Sequence, residues 1–143
     1  MRCNSPRYRS TAEFYNASPQ TLTSTATALA LLGTEVTDTG VAVDANSNGI
    51  GINFTGTYEA EFDAVVSATT AGLVTLQIYL DGVALPETAR TVTASAGNTA
   101  ISTGTIRNIT SPCGSTPDIQ LYASTDGTAV GSVILVSGRI KKL

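Results

Sequence analysis

The chain of 143 residues has no histidine and no tryptophan. Without an imidazole there is no Ser-His-Asp or Cys-His relay, and most catalytic zinc sites lose their usual ligand. Without tryptophan a sugar cleft lacks its commonest stacking platform, and tyrosines would have to serve. Cysteine occurs only at positions 3 and 113. Two thiols alone do not make a zinc site of the usual kind. In a reducing compartment Cys3 and Cys113 read as free thiols; a bridge from the amino-terminal region to a loop, or between subunits, is the alternative. Charge is scarce at 13% of residues, roughly half the usual share of about 25%. No apolar run approaches the roughly 18 residues of a membrane span, although mean hydropathy is +0.15. The opening MRCNSPRYRS is basic but has no apolar stretch behind it, so no secretory signal is read there. No G-x-S-x-G and no phosphate loop occurs. No catalytic, cofactor-binding or metal residues are therefore assigned, and no enzyme is expected.

Threonine, alanine, serine and glycine fill the space left by charge, which suits a β surface. A chain of this length is one ordinary domain. Its organising stretch is Gly56 to Leu85. Tyr58, Ala60, Phe62, Ala64 and Val66 alternate with Glu59, Glu61 and Asp63, and Val74, Leu76, Ile78 and Leu80 alternate with Thr75, Gln77 and Tyr79. Period two means a strand with one buried face. Ala71-Gly72 reads as a turn joining these two strands into an antiparallel pair, and Asp81-Gly82 as a hairpin to a third. Elsewhere Asn48-Gly49 reads as a type I′ pair, and Gly97-Asn98 separates a weaker hairpin of 88–94 and 99–107. The run 132–137, SVILVS, reads as a strand buried on both faces. Residues 20–36 are ambiguous and are read as extended. Nine or ten short strands with turns between them predict an all-β sandwich or barrel. Residues 1–11 read as an arm and 12–143 as the domain.

The charge is unevenly placed. Arg2, Arg7 and Arg9 stand at one end and Arg139, Lys141 and Lys142 at the other, six of the eight basic residues. Between them eleven acids face only Arg90 and Arg107. If the termini meet, the molecule has a basic foot on an acidic body. Attachment is expected through Arg2, Arg7, Tyr8, Arg9, Arg139, Lys141 and Lys142. A protein or particle surface fits this end better than nucleic acid, because the acidic body opposes a polyanion. The row Glu59, Glu61, Asp63 reads as a solvated outer face rather than a cation site. Asp44–Gly49 copies half of a calcium loop, but Thr55 stands where the bidentate glutamate belongs, so a hairpin turn is expected. Tyr79 and Tyr122 are expected to face outward. Asn16, Asn53 and Asn108 match the glycosylation pattern by chance.

These signals, in order, resemble the tumour necrosis factor and complement globular-head jelly-roll superfamily. The carriers are Gly49–Phe54 (GIGINF), Gly56–Phe62 (GTYEAEF), Leu76–Gly82 (LQIYLDG), Asp118–Leu121 (DIQL) and a closing Val133–Ile140 strand. The resemblance covers about two-thirds of the chain. It implies a jelly-roll sandwich of about ten antiparallel strands in two sheets, adjacent first and last strands, and a homotrimer. For the trimer core it suggests Tyr58, Phe62, Leu121, Val133 and Leu135. Similar domains serve in bacteriophage virions and on spore surfaces. The resemblance therefore implies a structural virion protein, a capsid decoration or fibre module assembled in the host cytoplasm, without cofactor or membrane. The alternative is a carbohydrate- or host-surface-binding module of a tail or spore surface.

Overall fold

The computed structural model describes residues 11–31, 34–39, 43–46, 49–112 and 116–143, with side chains for all of these except 34–39 and 43–46. The expectations for residues 1–10, for Cys3 and Cys113, and for the ligand set of the Asp44–Gly49 turn lie outside the described residues. The strands are β1 (Thr11–Asn16), β2 (Gln20–Thr21), β3 (Thr27–Ala28), β4 (Thr34–Thr39), β5 (Val43–Asn46), β6 (Gly49–Ile52), β7 (Gly56–Thr70), β8 (Gly72–Leu80), β9 (Val83–Ala84), β10 (Arg90–Ala94), β11 (Gly97–Ile109), β12 (Asp118–Thr125) and β13 (Val130–Lys142). One 3-10 turn, Pro86–Thr88, precedes β10. Three of the strands, β2, β3 and β9, are two-residue additions. The other ten form two sheets, in the orders β11-β7-β13-β1-β4 and β10-β8-β12-β6-β5, with antiparallel pairing throughout. This is a jelly-roll sandwich.

Alternation placed the core correctly. Tyr58, Ala60, Phe62, Ala64 and Val66 of β7, and Val74, Leu76 and Ile78 of β8, are buried between the sheets. Phe14, Leu121, Val136 and Ile140 join the same cluster. Leu80, at the end of β8, is only half-buried. Asp81-Gly82 makes the expected hairpin: Leu80 pairs with Val83, and both loop residues have positive φ, 51° and 80°, as a type I′ turn requires. Pairing of Asn46 with Gly49 confirms the β5–β6 hairpin. It is set one residue earlier than Asn48-Gly49 predicts, because Gly49 is already in the strand.

Partner choice corrects two expectations. β7 and β8 are not a hairpin: β7 pairs with β11 and β13, whereas β8 pairs with β10 and β12. Ala71 carries the chain from one sheet to the other. The stretch between β10 and β11 does the same, so 88–94 and 99–107 are not a hairpin either. Alternation tells which face is buried but not which strand lies alongside.

The run 132–137 also departs from expectation. Val133 and Val136 point inward, but Leu135 is 37% exposed. The register passes from Val133 opposite Val66 to Leu135 opposite Val65, leaving Ile134 as an extra residue. A bulge of this kind breaks the in-and-out alternation and mimics a doubly buried run. Among the described residues of 20–36 there is not one strand but the two-residue strands β2 and β3, bends at 24–25 between them, and the start of β4. β2 continues the β1 side of β13 and β3 continues the β6 side of β12, before β4 returns to the first sheet.

A candidate assembly face

β1 and β13, the first and last strands, pair along their length, with Thr11 opposite Lys141. The described chain therefore starts and ends at one pole, here called the base. The outer face of this sheet is built in rows across the strands. From the base upward they are Thr11–Lys141–Glu59–Ile106, Glu13–Arg139–Glu61–Gly104, Tyr15–Ser137–Asp63–Ser102 and Leu135–Val65–Ala100. The side chains of these rows point away from the core, most of them alternating with buried neighbours.

The lower rows form a charged ladder. Arg139 Nη2 donates to Glu61 Oε2 at 2.9 Å, and Arg139 Nη1 lies 4.0 Å from Glu13 Oε1. Lys141 Nζ stands 3.8 Å from Glu59 Oε2. The hydrogen bond from Arg139, then one with Glu59, holds the Glu61 carboxyl below the usual range, and Glu61 pushes Arg139 up. Asp63 accepts a hydrogen bond from the Ser102 hydroxyl. Among the described residues no cation pairs with it. Four carboxylates thus meet two cations within these rows, and Arg90 of β10 lines the hollow beside Glu61 and Asp63. Small residues hollow it on either side of the Glu61–Asp63 ridge. One hollow, of about 360 Å³, lies over Ser137 and Gly138, and the other, of about 390 Å³, over Ser102 and Gly104. The top row, Leu135–Val65–Ala100, is apolar, with Leu135 37% exposed, and Tyr15, 39% exposed, stands in the row below it with Ser137 and Asp63.

The proposed attachment residues divide. Arg2, Arg7, Tyr8 and Arg9 lie outside the described residues. Arg139 and Lys141 are near the base as expected, but they face acids on β7 and do not form a foot of free cations. Lys142 turns to the other side of β13, its stem against Gly56. Of the suggested trimer residues, Tyr58, Phe62, Leu121 and Val133 are at most 1% exposed, sealed between the sheets of one protomer. Only Leu135 reaches a surface another copy could touch. Sequence reasoning missed Glu13 and Tyr15 as members of the face; their alternation with the buried Ala12, Phe14 and Asn16 was the available signal. Glu59, Glu61 and Asp63 do lie on an outer face.

The opposite sheet presents a different outer face. Tyr79 and Tyr122 stack on each other, with ring centroids 3.7 Å apart and planes 12° apart. Gln77, Gln120, Thr75 and Thr91 surround them without a formal charge. Among the described residues no group of three or more acids or cysteines converges as a metal site, and no helix is long and apolar enough to cross a membrane.

No protein-family model and no curated protein matches the sequence. Solved structures do match the fold. The PRD1 vertex protein P5 superposes with a TM-score of 0.66 at 15% identity, over 93% of this chain and 95% of that one. Murine APRIL at pH 5.0 superposes with a TM-score of 0.58 at 11% identity, over 95% of this chain and 100% of that one. The pH 8.5 form of murine APRIL gives 0.54 at 11% identity with the same coverage. The chain has a tumour necrosis factor-like jelly-roll fold, with the PRD1 vertex protein P5 among its structural neighbours.

Proposed function

We propose that this protein is a structural component of a virus particle, a homotrimeric jelly-roll module that decorates a capsid or builds part of a fibre. The carrying observation is the near full-length likeness to the PRD1 vertex protein P5. Two features of the chain support it. The described ends lie side by side at the base, which leaves the other pole free to project from a particle. The top row of the outer face, Leu135, Val65 and Ala100, presents apolar surface on a central strand and its neighbours, where a second copy would remove it from water. The module is not an enzyme in this reading; it has no cofactor, and its place is the virion, assembled in the host cytoplasm. Quantitative mass spectrometry of purified particles tests it. The protein is expected in the particles in copy numbers divisible by three. Its presence only in the soluble lysate would contradict the reading.

The uncharged face around Tyr79 and Tyr122 favours a second reading, a carbohydrate- or host-surface-binding module. The two rings stack on one another, so each offers only its other face to a sugar. A glycan array probed with the intact protein should then show binding that Tyr122→Ala removes; a blank array retires this reading.

A further inference from the structure

We propose that the outer face of the second sheet binds a neutral glycan, a hydroxyl-bearing chain without carboxylate, sulfate, phosphate or amine, on the side chains of Gln77, Tyr79, Gln120 and Tyr122. The proposal rests on the carbohydrate reading and narrows it to one class of sugar. On β8 and β12, Tyr79 stands opposite Gln120 and Gln77 opposite Tyr122. The four side chains therefore fill a two-by-two block, with strands ~4.8 Å and rows ~7 Å apart. The tyrosines occupy one diagonal and stack across it. The glutamines occupy the other, one on each side of the stacked rings.

The two amides are held in opposite senses. Gln77 Nε2 donates to the Leu85 carbonyl at 3.2 Å, and Gln120 Oε1 accepts from the Gly82 N–H at 3.2 Å. A carbonyl only accepts and an N–H only donates, so each backbone partner fixes the orientation of its amide. Gln77 then turns its acceptor oxygen to a ligand, and Gln120 its donor nitrogen. A hydroxyl both donates and accepts, so a run of sugar hydroxyls answers both sides of the aromatic ridge. A carboxylate or phosphate only accepts and an ammonium only donates, so either leaves one glutamine without a partner. The apolar flank of a sugar ring covers the outer face of a tyrosine. Both glutamines and both rings are held in place before any ligand arrives, so binding freezes few rotamers.

Among the described residues no formal charge lies within these rows to draw an ion. Asp81 and Asp118 stand at the base end, joined through Asp81 N–H and the Asp118 carbonyl. Register places Asp44 beyond Gly51, across from Asp118. Asp126 stands at the other end, its carboxylate accepting from the N–H groups of Leu73, Thr128 and Ala129. The charges that bound the face along β8 and β12 are thus acidic, which further disfavours an anionic sugar. Arg90 lines the hollow beside Glu61 and Asp63, and Glu87 pairs with Arg107, so both belong to the side of the first sheet.

The test is an array of neutral oligosaccharides (glucans, mannans and galactans) beside sialylated, uronic-acid and sulfated ones, probed with the intact protein. Binding should be confined to neutral members and should not change between about 0.05 and 0.5 M salt, since no ion pair is there to be screened. Gln120→Glu keeps the acceptor for the Gly82 N–H and removes the free donors. It should lower affinity for the strongest neutral ligand about tenfold, as the loss of a hydrogen bond does. Tyr122→Ala should lower it as much, and Glu61→Gln, on the opposite face, should leave it unchanged. Circular dichroism checks each fold, and Thr91→Glu, at an exposed position of the same face, replaces a variant that does not fold. Binding confined to charged glycans, or neutral binding that Gln120→Glu and Tyr122→Ala leave intact, would overturn the site and leave the carbohydrate reading standing. A blank array would retire both.

Discussion

At Gly138 an added Cβ would come within 2.6 Å of the Phe14 ring and 2.7 Å of the Phe62 ring. Phe14 and Phe62 flank Gly138 in register on β1 and β7, and their rings lie 6.0 Å apart over it. The missing side chain lets two aromatics meet across an intervening strand, where edge-tilted rings gain about 0.5–1.5 kcal/mol beyond their burial. Gly138→Ala should overpack this site and cost about 1–3 kcal/mol in chemical denaturation. An unchanged midpoint would show that the rings shift freely. Tyr58 is the other informative residue. Its hydroxyl donates to the Phe54 carbonyl at 2.6 Å, and burial pushes its pKa from 10.0 up to about 12. The raised value means that the stability it contributes is complete below pH 10 and is lost as pH rises towards 12. Tyr58→Phe should flatten the alkaline fall in stability across that window; an identical alkaline profile would contradict the assignment. Tyr58 lay on the buried side of an alternating stretch, so its burial was legible. The Gly138 contact was not, because it joins residues from three distant parts of the chain.

The bulge in β13 decides which face each side of that strand presents. Removing Ile134 would leave Val133 facing inward, Leu135 outward and Val136 inward, with both halves of the register intact. Its deletion should therefore give a folded protein with a cooperative melt. Deleting Ser137 instead would turn Ile140 out and Arg139 in, and should leave no folded protein. Equal outcomes for the two deletions, by circular dichroism, would refute the register. The same strand carries the cations of the ladder. Its pairs are half-exposed, so Glu61→Gln should cost no more than about 1 kcal/mol at neutral pH. The depressed Glu61 pKa contributes stability that is present above its unfolded value and lost as pH falls through the folded one. Glu61→Gln should therefore reduce the acid-side slope of stability against pH; a slope unchanged by the substitution would dismiss the ladder as a stabilising element. The acids of β7 were visible as a row in the sequence. Their partners were not, since Arg139 lies 78 positions from Glu61 and only strand pairing brings them together.

The whole molecule follows from where strands change sheets. β7 to β8 and β10 to β11 each cross the sandwich through a very short link, and such links look like hairpin turns in the sequence. Most of the main strands and the sandwich class were legible from alternation and Asp81-Gly82, and the meeting of first and last strands from the family resemblance; β4 was not told apart within the ambiguous run around 20–36. The order within each sheet is set by long-range pairing that local pattern does not encode. What the fold leaves open on the outer face of the first sheet is one apolar row, Leu135, Val65 and Ala100, and the assembly reading stands on a second copy covering it. Size-exclusion chromatography with light scattering on the purified protein at micromolar concentration measures it directly. A single species of three times the 14.6 kDa chain mass is expected, reduced towards the monomer by Leu135→Glu with the far-ultraviolet circular dichroism unchanged. A wild-type protein that elutes and scatters as a monomer would contradict it.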